Sequence, residues 1–380
     1  MNFELTEEQK MIRKMVREFT EKEVAPRDEE MDRTGEFPYD IMKKMAENGL
    51  FGIPYPEEYG GAGADSVCGV ITIEELAKGS ASVALTLDAH WLAVDAINLF
   101  GNEEQKKKYL TPALTGEKIA AFSLTEPVAG SDAAAIQATA ELDGDEWVLN
   151  GTKAFVTNGD AADIYVIAVK TDKSKGVKGI STFIVEKGSP GFSIGKKEDK
   201  MGCRGSITTE LILKDCRVPK ENLLGKEGEG FKIAMVALDG GRMHVGAMAV
   251  GLAEAAKDIA VKYAKERYAF GQPIGNFQAV QFMIADMEME IEATRLMVYK
   301  TATLRDKKIR YSKEAAMVKV FGSEMAMKTA KNAIQILGGY GYTRDYAPER
   351  LLRDAKLLEI GEGASEVLRM VIGSTVLRSK

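Results

Sequence analysis

The sequence predicts an α+β protein that is mostly α. We expect an N-terminal helical domain (residues 1–116), a middle β-barrel domain (117–220) and a C-terminal four-helix bundle (221–380). Apolar residues recur at helical spacing in the first and last parts of the chain, whereas short apolar runs alternate with turn signals between them. A chain of 380 residues is also long enough for two or three domains.

Helix signals begin near the N-terminus. Thr6 and Gln9 form a capping-box pattern, and an apolar stripe at helical spacing follows them. The Pro- and Gly-rich stretch 53–63 interrupts this pattern, and we expect helices again from about Asp65 and Ser82. Asn102 then starts a short basic helix, whose lysines we interpret as a solvated face.

Strand signals occupy the middle segment. Tight turns are predicted at Asp143-Gly144 and Asn150-Gly151, two dipeptides that favour hairpins. The predicted strands are the short apolar runs Ile119–Leu124, Trp147–Asn150, Ile164–Val169, Ile180–Val185 and Glu210–Leu213. Strands at this spacing, without the helices that a parallel βαβ sheet needs, indicate a small barrel or sandwich.

Helical spacing returns in the last part of the chain. We expect one broken helical stretch, Phe231–Gly241 and Met243–Phe270, and a long helix over Phe277–Arg305. Another helix is expected over Tyr311–Leu337, where two glycines follow as a stop signal, and a last one over about 365–377.

The composition excludes several classes of function. A net charge of −6 does not suit nucleic acid as the main partner, and two distant histidines without neighbouring ligands predict no metal site. Three cysteines without a C-x-x-C pair indicate reduced thiols and a cytoplasmic protein. The most apolar stretch, Gly79–Phe100, contains Asp88 and Asp95, so we expect no membrane association.

Two stretches carry candidate chemistry. Phe122–Asp132 is a strand followed by a turn rich in small hydroxyl donors, which suits an anionic or carbonyl-bearing ligand but also an ordinary strand and turn. Glu362 lies between two glycines, so a ligand can approach its carboxylate closely, although an exposed Glu in a helix-linking loop gives the same pattern. Dinucleotide, P-loop and nucleophile-elbow motifs are missing from the sequence, which leaves acid–base work to carboxylates.

Together with other motifs, these stretches resemble the acyl-CoA dehydrogenase family over essentially the whole chain. Phe122–Asp132 is similar to the family's TEP-x-x-GSD signature, and residues 57–61 are similar to its N-terminal PEEYGG element. Residues 150–159 resemble its NG-x-K…ITN element. The family's C-terminal signatures are similar to residues 267–277, 338–344 and 353–356.

This resemblance implies an FAD enzyme that oxidises an acyl-CoA thioester to the 2,3-enoyl-CoA. Glu362 would take the α-proton while hydride leaves the β-carbon for flavin N5. The N–H of Glu362 and a flavin hydroxyl would stabilise the thioester oxygen as enolate charge develops. Desolvation would raise the pKa of Glu362 towards that of a well-matched base. Electrons would pass to an electron-transferring flavoprotein, and an FAD site shared between subunits implies a homodimer or, as we expect, a homotetramer built as a dimer of dimers.

The resemblance also assigns binding residues. Those expected to bind FAD are Phe122, Leu124, Thr125, Gly130, Ser131, Phe155, Val156, Thr157, Arg267, Phe270, Gln278, Gln335, Ile336, Leu337, Gly338, Gly339, Ala364, Ser365 and Glu366. Those expected to bind the thioester are Ser131, Leu238, Asp239, Arg242 and Gly363, with Leu87 and Trp91 on the helix that walls the acyl pocket.

Departures from the family pattern bear on the acyl group. Gly361 and Ala364 replace a frequent Tyr and Thr beside the catalytic Glu, which predicts a wider pocket, and Phe155 replaces a frequent Trp at the flavin. Asp88 is unusual in an alkyl pocket. It is either a structural residue or a second acid/base, as in family members that act on cyclic acyl-CoA compounds. We therefore predict a short, bulky or cyclic acyl group, of the cyclohexane-carboxyl-CoA type.

Two other functions fit the same sequence. The same site would also serve an enoyl-CoA reductase that runs the reaction backwards, and a flavin-binding homologue that has lost catalysis would keep most of these motifs. The presence of Glu362 favours an active enzyme over the second of these.

Overall fold

A β-sheet domain lies between two helical parts, in the order that the sequence predicts. The structure is a computed structural model that describes residues 4–378. Over these residues the α-helices are α1 (Glu7–Phe19), α2 (Asp28–Thr34), α3 (Tyr39–Glu47), α4 (Ser66–Gly79), α5 (Ala81–Phe100), α6 (Glu103–Gln105), α7 (Thr111–Leu114), α8 (Gly230–Glu266), α9 (Gln278–Asp306), α10 (Ser312–Leu337), α11 (Pro348–Ile360) and α12 (Ser365–Arg378).

The first helical part begins as predicted. The Thr6 side chain accepts the N–H of Gln9, and the Gln9 side chain accepts the N–H of Thr6, so the capping box is confirmed. By length and composition α5 could cross a membrane, but 72% of its most apolar window is buried inside the protein. Helices α4 and α5 are apolar around most of their circumference because α8 covers both, with α1 against α4 and β1 against α5.

The middle part is one eight-stranded sheet with a separate two-stranded ribbon later in the chain. Its strands are β1 (Ala120–Ser123), β2 (Thr139–Asp143), β3 (Glu146–Thr157), β4 (Ile164–Lys170), β5 (Ile180–Glu186), β6 (Phe192–Lys197), β7 (Thr208–Pro219) and β8 (Leu223–Leu224); the ribbon is β9 (Tyr268–Ala269) with β10 (Gln272–Pro273). The five predicted strands all form, as β1, β3, β4, β5 and β7.

The predicted closed barrel was wrong. The strand order is β6-β7-β3-β2-β4-β5-β8, with β1 parallel to β4, so the sheet ends at β6 and β8 and does not close. The terminal strand β8 has only two residues, and it pairs with β5 through Leu223 and Leu224 alone. A single residue pair, Thr139 with Lys170, joins β2 to β4, which leaves a weak seam in the middle. An edge strand this short cannot supply the ladder that closure requires.

Five long helices form the last part, and the first of them is not broken. Helix α8 runs without interruption through Gly240 and Gly241, where the sequence predicted a break. The predicted stop is correct: α10 ends at Leu337, and Gly338 follows with φ = 62°. Helices α4, α5, α8, α9 and α10 share one hydrophobic core, whereas the sheet has its own. The loop between α11 and α12 meets this helical core at α8.

Candidate active site

Glu362 lies in the four-residue connection between α11 and α12. Its backbone has φ = 55°, and Gly363 has φ = 108°, so the turn uses a conformation that a non-glycine residue rarely adopts. Such a conformation persists where surrounding contacts hold it. Two buried cations do so here: Arg242 Nε donates to the carbonyl of Glu362 at 3.1 Å, and Lys319 Nζ donates to the carbonyl of Gly363 at 2.7 Å.

The Glu362 side chain enters the interface between α5 and α8. A Cβ atom added at Gly241 would lie 2.3 Å from Oε2 of Glu362 and 2.6 Å from Cδ2 of Leu92. Glycine at 241 therefore makes room for the carboxyl, which explains why this glycine stands inside a continuous helix. Oε2 is buried, and burial raises the pKa of Glu362 well above its usual value, with a further rise from the charge of Asp88.

Asp88 faces Glu362 from α5. The aspartate is fully buried, and burial raises its pKa to about 7. Its Oδ1 lies 3.0 Å from Nδ1 of His244 on α8, a buried imidazole whose own pKa burial lowers to about 4. Two helices thus bring an acidic and a basic side chain to the carboxyl of Glu362. The imidazole is neutral at pH 7 because protonating it would place a charge inside the core.

The cations beside the loop are restrained as well. Arg242 is 7% exposed and pairs with Asp239 one turn earlier at 2.9 Å. Lys319 is fully buried, and burial lowers its pKa to about 8. Both side chains donate to backbone carbonyls or to Asp239, and the charge of Arg242 offsets only part of the pKa rise of Glu362.

The turn after β1 contains a buried, hydrogen-bonded ion pair, and more exposed residues surround it. Glu126 accepts the N–H of Gln137 and of Ala138 at 2.5 and 3.0 Å, and Lys153 Nζ donates to Glu126 at 2.8 Å and to the carbonyl of Leu124 at 3.0 Å. Lys153 and Glu126 are 0% and 4% exposed. Around this buried ion pair the predicted FAD residues differ in exposure: Phe122, Leu124 and Thr125 are half-buried, and Gly130 and Ser131 are exposed.

Phe155 is presented on the outer side of β3. It is 65% exposed and has φ = 54°, at an irregularity in the pairing of β3 with β7. Val156 has the opposite orientation and is buried in the core of the sheet, so only its backbone remains for a ligand. Thr157 is half-buried.

The other predicted FAD residues meet at one end of the C-terminal helices. Arg267 ends α8, and its guanidinium carbon lies 5.9 Å from the ring centre of Tyr340, just after α10. Phe270, in the β9–β10 ribbon, is 95% exposed and has φ = 53°. Gln278, Gln335, Gly338 and Gly339 are exposed, whereas the side chains of Ile336 and Leu337 are buried in the helical core.

The remaining predicted residues lie around the loop and on the two helices that enclose it. Ala364 is half-buried, Ser365 is buried with a hydroxyl that has no partner among residues 4–378, and Glu366 is exposed. Leu238 and Asp239 are half-buried on α8. Leu87 and Trp91 are fully buried on α5. The Trp91 ring donates its N–H to the carbonyl of Phe51 at 2.7 Å and lies 5.2 Å from the His244 ring, so it backs the imidazole.

Three family profiles match successive parts of this chain. They are described as the acyl-CoA dehydrogenase N-terminal, middle and C-terminal domains, and they match residues 6–117, 121–216 and 228–377. The chain belongs to the acyl-CoA dehydrogenase family.

Relatives of this acyl-CoA dehydrogenase match it over its full length. The short-chain specific acyl-CoA dehydrogenase of Clostridium acetobutylicum is 50% identical over 379 residues, which cover 100% of each chain. An acryloyl-CoA reductase (NADH) of Anaerotignum propionicum is 51% identical and covers 100% of this chain and 96% of its own. A solved chain described with the electron-transferring flavoprotein of Acidaminococcus fermentans superposes with a TM-score of 0.99 at 54% identity, with 100% of both chains covered. This acyl-CoA dehydrogenase is therefore similar to short-chain members of its family.

FAD is the cofactor of this acyl-CoA dehydrogenase, as in its relatives, and the residues present fit it. Phe155 offers an exposed aromatic face, and a Cβ at Gly130 would meet no atom within 4 Å, which leaves the turn open to a ligand. Arg267 has no carboxylate partner within residues 4–378 and can pair with a pyrophosphate.

Sequence reasoning missed several residues that shape the site of this enzyme. His244 carried no motif, and its contact with Asp88 spans 156 positions. Lys319 looked like an ordinary residue of a long helix. The Glu126–Lys153 pair had a usable signal, since both residues fall inside the motifs that carried the family resemblance.

Proposed function

We propose that this acyl-CoA dehydrogenase oxidises a short and bulky or cyclic acyl-CoA thioester to its 2,3-enoyl-CoA, with Glu362 as the base that removes the α-proton. The buried position of the Glu362 carboxyl carries this proposal. A carboxyl whose pKa is raised by burial holds a proton more strongly and is better matched to a weakly acidic C–H group. FAD, when bound, would supply the acceptor for the hydride that leaves the β-carbon.

The chain's own residues would prepare the thioester for this step. Arg242 and Lys319 bind the carbonyls of Glu362 and Gly363, and these two bonds hold the loop in one conformation. Within residues 4–378 no backbone or side-chain acceptor binds the N–H of Glu362, so this donor is free for the thioester oxygen. A fixed donor at that oxygen stabilises the enolate charge that develops as the proton leaves.

The acyl group is the finer part of the proposal. An unbranched alkyl chain needs only an apolar wall, yet α5 places Asp88 directly at the base. Gly361 and Ala364, on either side of Glu362 and Gly363, are small residues, and a Cβ at Gly361 would come no closer than 3.5 Å to Leu357. We therefore favour a cyclic acyl group of the cyclohexane- or cyclohexene-carboxyl type, on which Asp88 would act as a second base.

A substrate panel followed by bleaching of the flavin band tests both parts. Glu362→Gln should lower the bleaching rate by roughly 10²–10⁴-fold on every substrate, whereas Glu359→Gln, three residues earlier, should bleach at the normal rate. Turnover of butyryl-CoA far above every cyclic thioester would refute the cyclic acyl group. Unchanged activity of Asp88→Asn on all substrates would refute its catalytic part.

The reverse direction is the second candidate. It is favoured by the 51% identity to an acryloyl-CoA reductase, because the same base can return the α-proton to an enoyl-CoA. Stopped-flow reoxidation of the reduced enzyme by cyclic and acyclic enoyl-CoA compounds compares the two directions. Reduction that is faster than oxidation by the natural acceptor would favour the reductase.

For partners, we propose an electron-transferring flavoprotein and a homotetramer in the cytoplasm. The similarity to a chain described with such a flavoprotein supports the flavoprotein as partner.

An apolar stripe on α9 supports the homotetramer. It recurs every seven residues and consists of Phe282, Met289 and Leu296, which are 64%, 62% and 42% exposed, as suits burial against another subunit. Cys68, Cys203 and Cys216 are buried and unpaired, as in a reducing compartment. Light scattering of Met289→Glu should show a smaller assembly than the wild type, and an unchanged mass would exclude this face from the interface.

A further inference from the structure

Three side chains from separate parts of the chain meet at one point inside the protein. Glu362 comes from the loop after α11, Asp88 from α5 and His244 from α8. His244 Nδ1 lies 3.0 Å from Asp88 Oδ1, and the carboxyl of Asp88 is near enough to that of Glu362 for its charge to raise the pKa of Glu362. Oδ2 of Asp88 and Oε2 of Glu362 are buried and receive no N–H or O–H from any other group within residues 4–378.

Two ionised carboxylates cannot make this contact favourably. Each can only accept a hydrogen bond, and two like charges inside a buried interface repel each other. The contact becomes a hydrogen bond when exactly one proton is present, since one carboxyl then donates to the other. Because His244 is engaged with Oδ1, it leaves Oδ2 as the oxygen of Asp88 that can meet Glu362.

We propose that Asp88 and Glu362 share a single proton in the resting enzyme, and that His244 is the positioning residue that turns Asp88 towards the base. This inference rests on the proposed function of Glu362 and extends it. The imidazole donates its Nδ1–H to Oδ1 of Asp88, and the shared proton lies between Oδ2 and the carboxyl of Glu362.

The arrangement supplies a charged base beside a neutral acid. When the shared proton sits on Asp88, Glu362 is ionised and accepts the substrate α-proton as the α C–H bond breaks. Both carboxyls are then protonated, and one proton returns to water after the enoyl product leaves. The electron pair of the β C–H bond leaves as hydride, as in the proposed function, so the proton and the hydride together balance the two hydrogens removed.

The other acidic side chains near Asp88 and Glu362 each have a cationic partner. Asp95 lies seven residues after Asp88 on α5. It binds Arg305 of α9 at 2.6 Å and the hydroxyl of Tyr55 at 3.0 Å. The titratable or charged groups that face the pair from the surrounding elements are Asp95 on α5, Asp239 and Arg242 on α8, Arg305 on α9, and Tyr311 and Lys319 at α10. Asp95 and Asp239 pair with Arg305 and Arg242. Asp88 and Glu362 are therefore the carboxyls of this group without a Lys or Arg ion pair within residues 4–378.

Histidine NMR tests this arrangement without turnover. The chain has only His90 and His244, so ¹⁵N-histidine labelling of the flavin-loaded enzyme gives two imidazoles, and His244→Asn assigns them. His90 Nδ1 accepts the N–H of Ala120 at 2.9 Å, which makes it the Nε2–H tautomer. We expect His244 to be the Nδ1–H tautomer, and Asp88→Asn to shift its resonances while those of His90 stay in place. A His244 resonance that Asp88→Asn leaves unmoved would overturn the proposal.

The pH profile supplies the second measurement. His244→Leu removes a hydrogen bond to the charged pair, so the acid limb of kcat/KM should move to higher pH by about one to two units. His244→Asn places an amide N–H near the Nδ1 position and should restore most of the shift. A His244→Leu profile that coincides with the wild type would overturn the proposal. If the leucine variant does not fold, the tautomer and the Asp88→Asn response decide alone.

A matched control separates local from general effects. Asp354 is another fully buried aspartate whose pKa burial raises to about 7, but it lies against Cys203 at a distance from this site. Asp354→Asn should leave the His244 resonance and the acid limb in place. If Glu362→Gln keeps normal turnover, the proposed function fails while the histidine result still stands or falls by itself.

Discussion

A single methyl group at position 241 should displace the carboxyl of Glu362, the proposed base, while leaving the helix intact. In Gly241→Ala the new Cβ would lie 2.3 Å from Glu362 Oε2, whereas ordinary contacts begin at 3.4 Å, so the carboxyl must withdraw by about 1 Å. The loop cannot follow easily, because Arg242 and Lys319 hold its carbonyls. A misplacement of about 1 Å costs roughly 10²-fold in rate, and we expect kcat to fall by about that factor.

The stability of the same variant should change little by comparison. Overpacking costs about 1–3 kcal/mol, while alanine regains roughly 1 kcal/mol of helix propensity over glycine. Gly246→Ala on the same helix is the matched control, since its Cβ would meet a methyl of Val318 at 2.9 Å and has no contact with Glu362. Thermal unfolding and steady-state kinetics should show similar losses of stability but a loss of turnover only in Gly241→Ala. Normal kcat in a folded Gly241→Ala enzyme would refute this reasoning.

Three further changes probe the loop that carries Glu362, the turn after β1, and a buried aspartate outside the site. Lys319→Met should lower kcat more than it raises KM, because the carbonyl of Gly363 loses its donor; equal rates would show that the loop holds its shape alone. Lys153→Met leaves the buried Glu126 charge unpaired, which costs about 3–5 kcal/mol, and should lower the flavin-to-protein absorbance ratio; full flavin content would contradict this. Burial raises the pKa of Asp354 to about 7, so the folded state binds more protons than the unfolded state between about pH 4 and 7, and stability falls as pH rises through that range. Asp354→Asn should flatten this part of the melting temperature–pH curve, and an identical slope would contradict it.

Local patterns predicted the elements of this fold well, and long-range contacts explain where they failed. The Thr6–Gln9 cap and the five strands depend on neighbours in sequence, and the structure confirms them. The barrel was wrong because closure depends on how strands at opposite edges pair, which no local pattern encodes. The break predicted in α8 was wrong because Gly241 makes room for the side chain of Glu362, 121 positions later. Helix propensity alone treats such a glycine as a helix breaker.

The residues of the site also differ in whether a local pattern or a long-range contact reveals them. The sequence predicts roles for Glu362 and Asp88 because each is conspicuous in its own segment, and these roles stay predictions. His244 was not found, since a histidine inside an apolar helix is ordinary until its partner on another helix is known. The structure therefore adds mainly the contacts between distant residues, which the sequence alone does not show.

The cost of the Asp88–His244 pair argues that function maintains it. Placing an aspartate and a histidine in a helix interface where apolar side chains would pack forces both to lose their hydration. One hydrogen bond between them recovers only part of that loss, and Oδ2 of Asp88 remains without a donor. Replacing both with well-packed apolar residues would cost the fold nothing and would often stabilise it. A polar pair that weakens its own interface beside Glu362 is therefore best understood through the proton that Glu362, as the proposed base, must exchange.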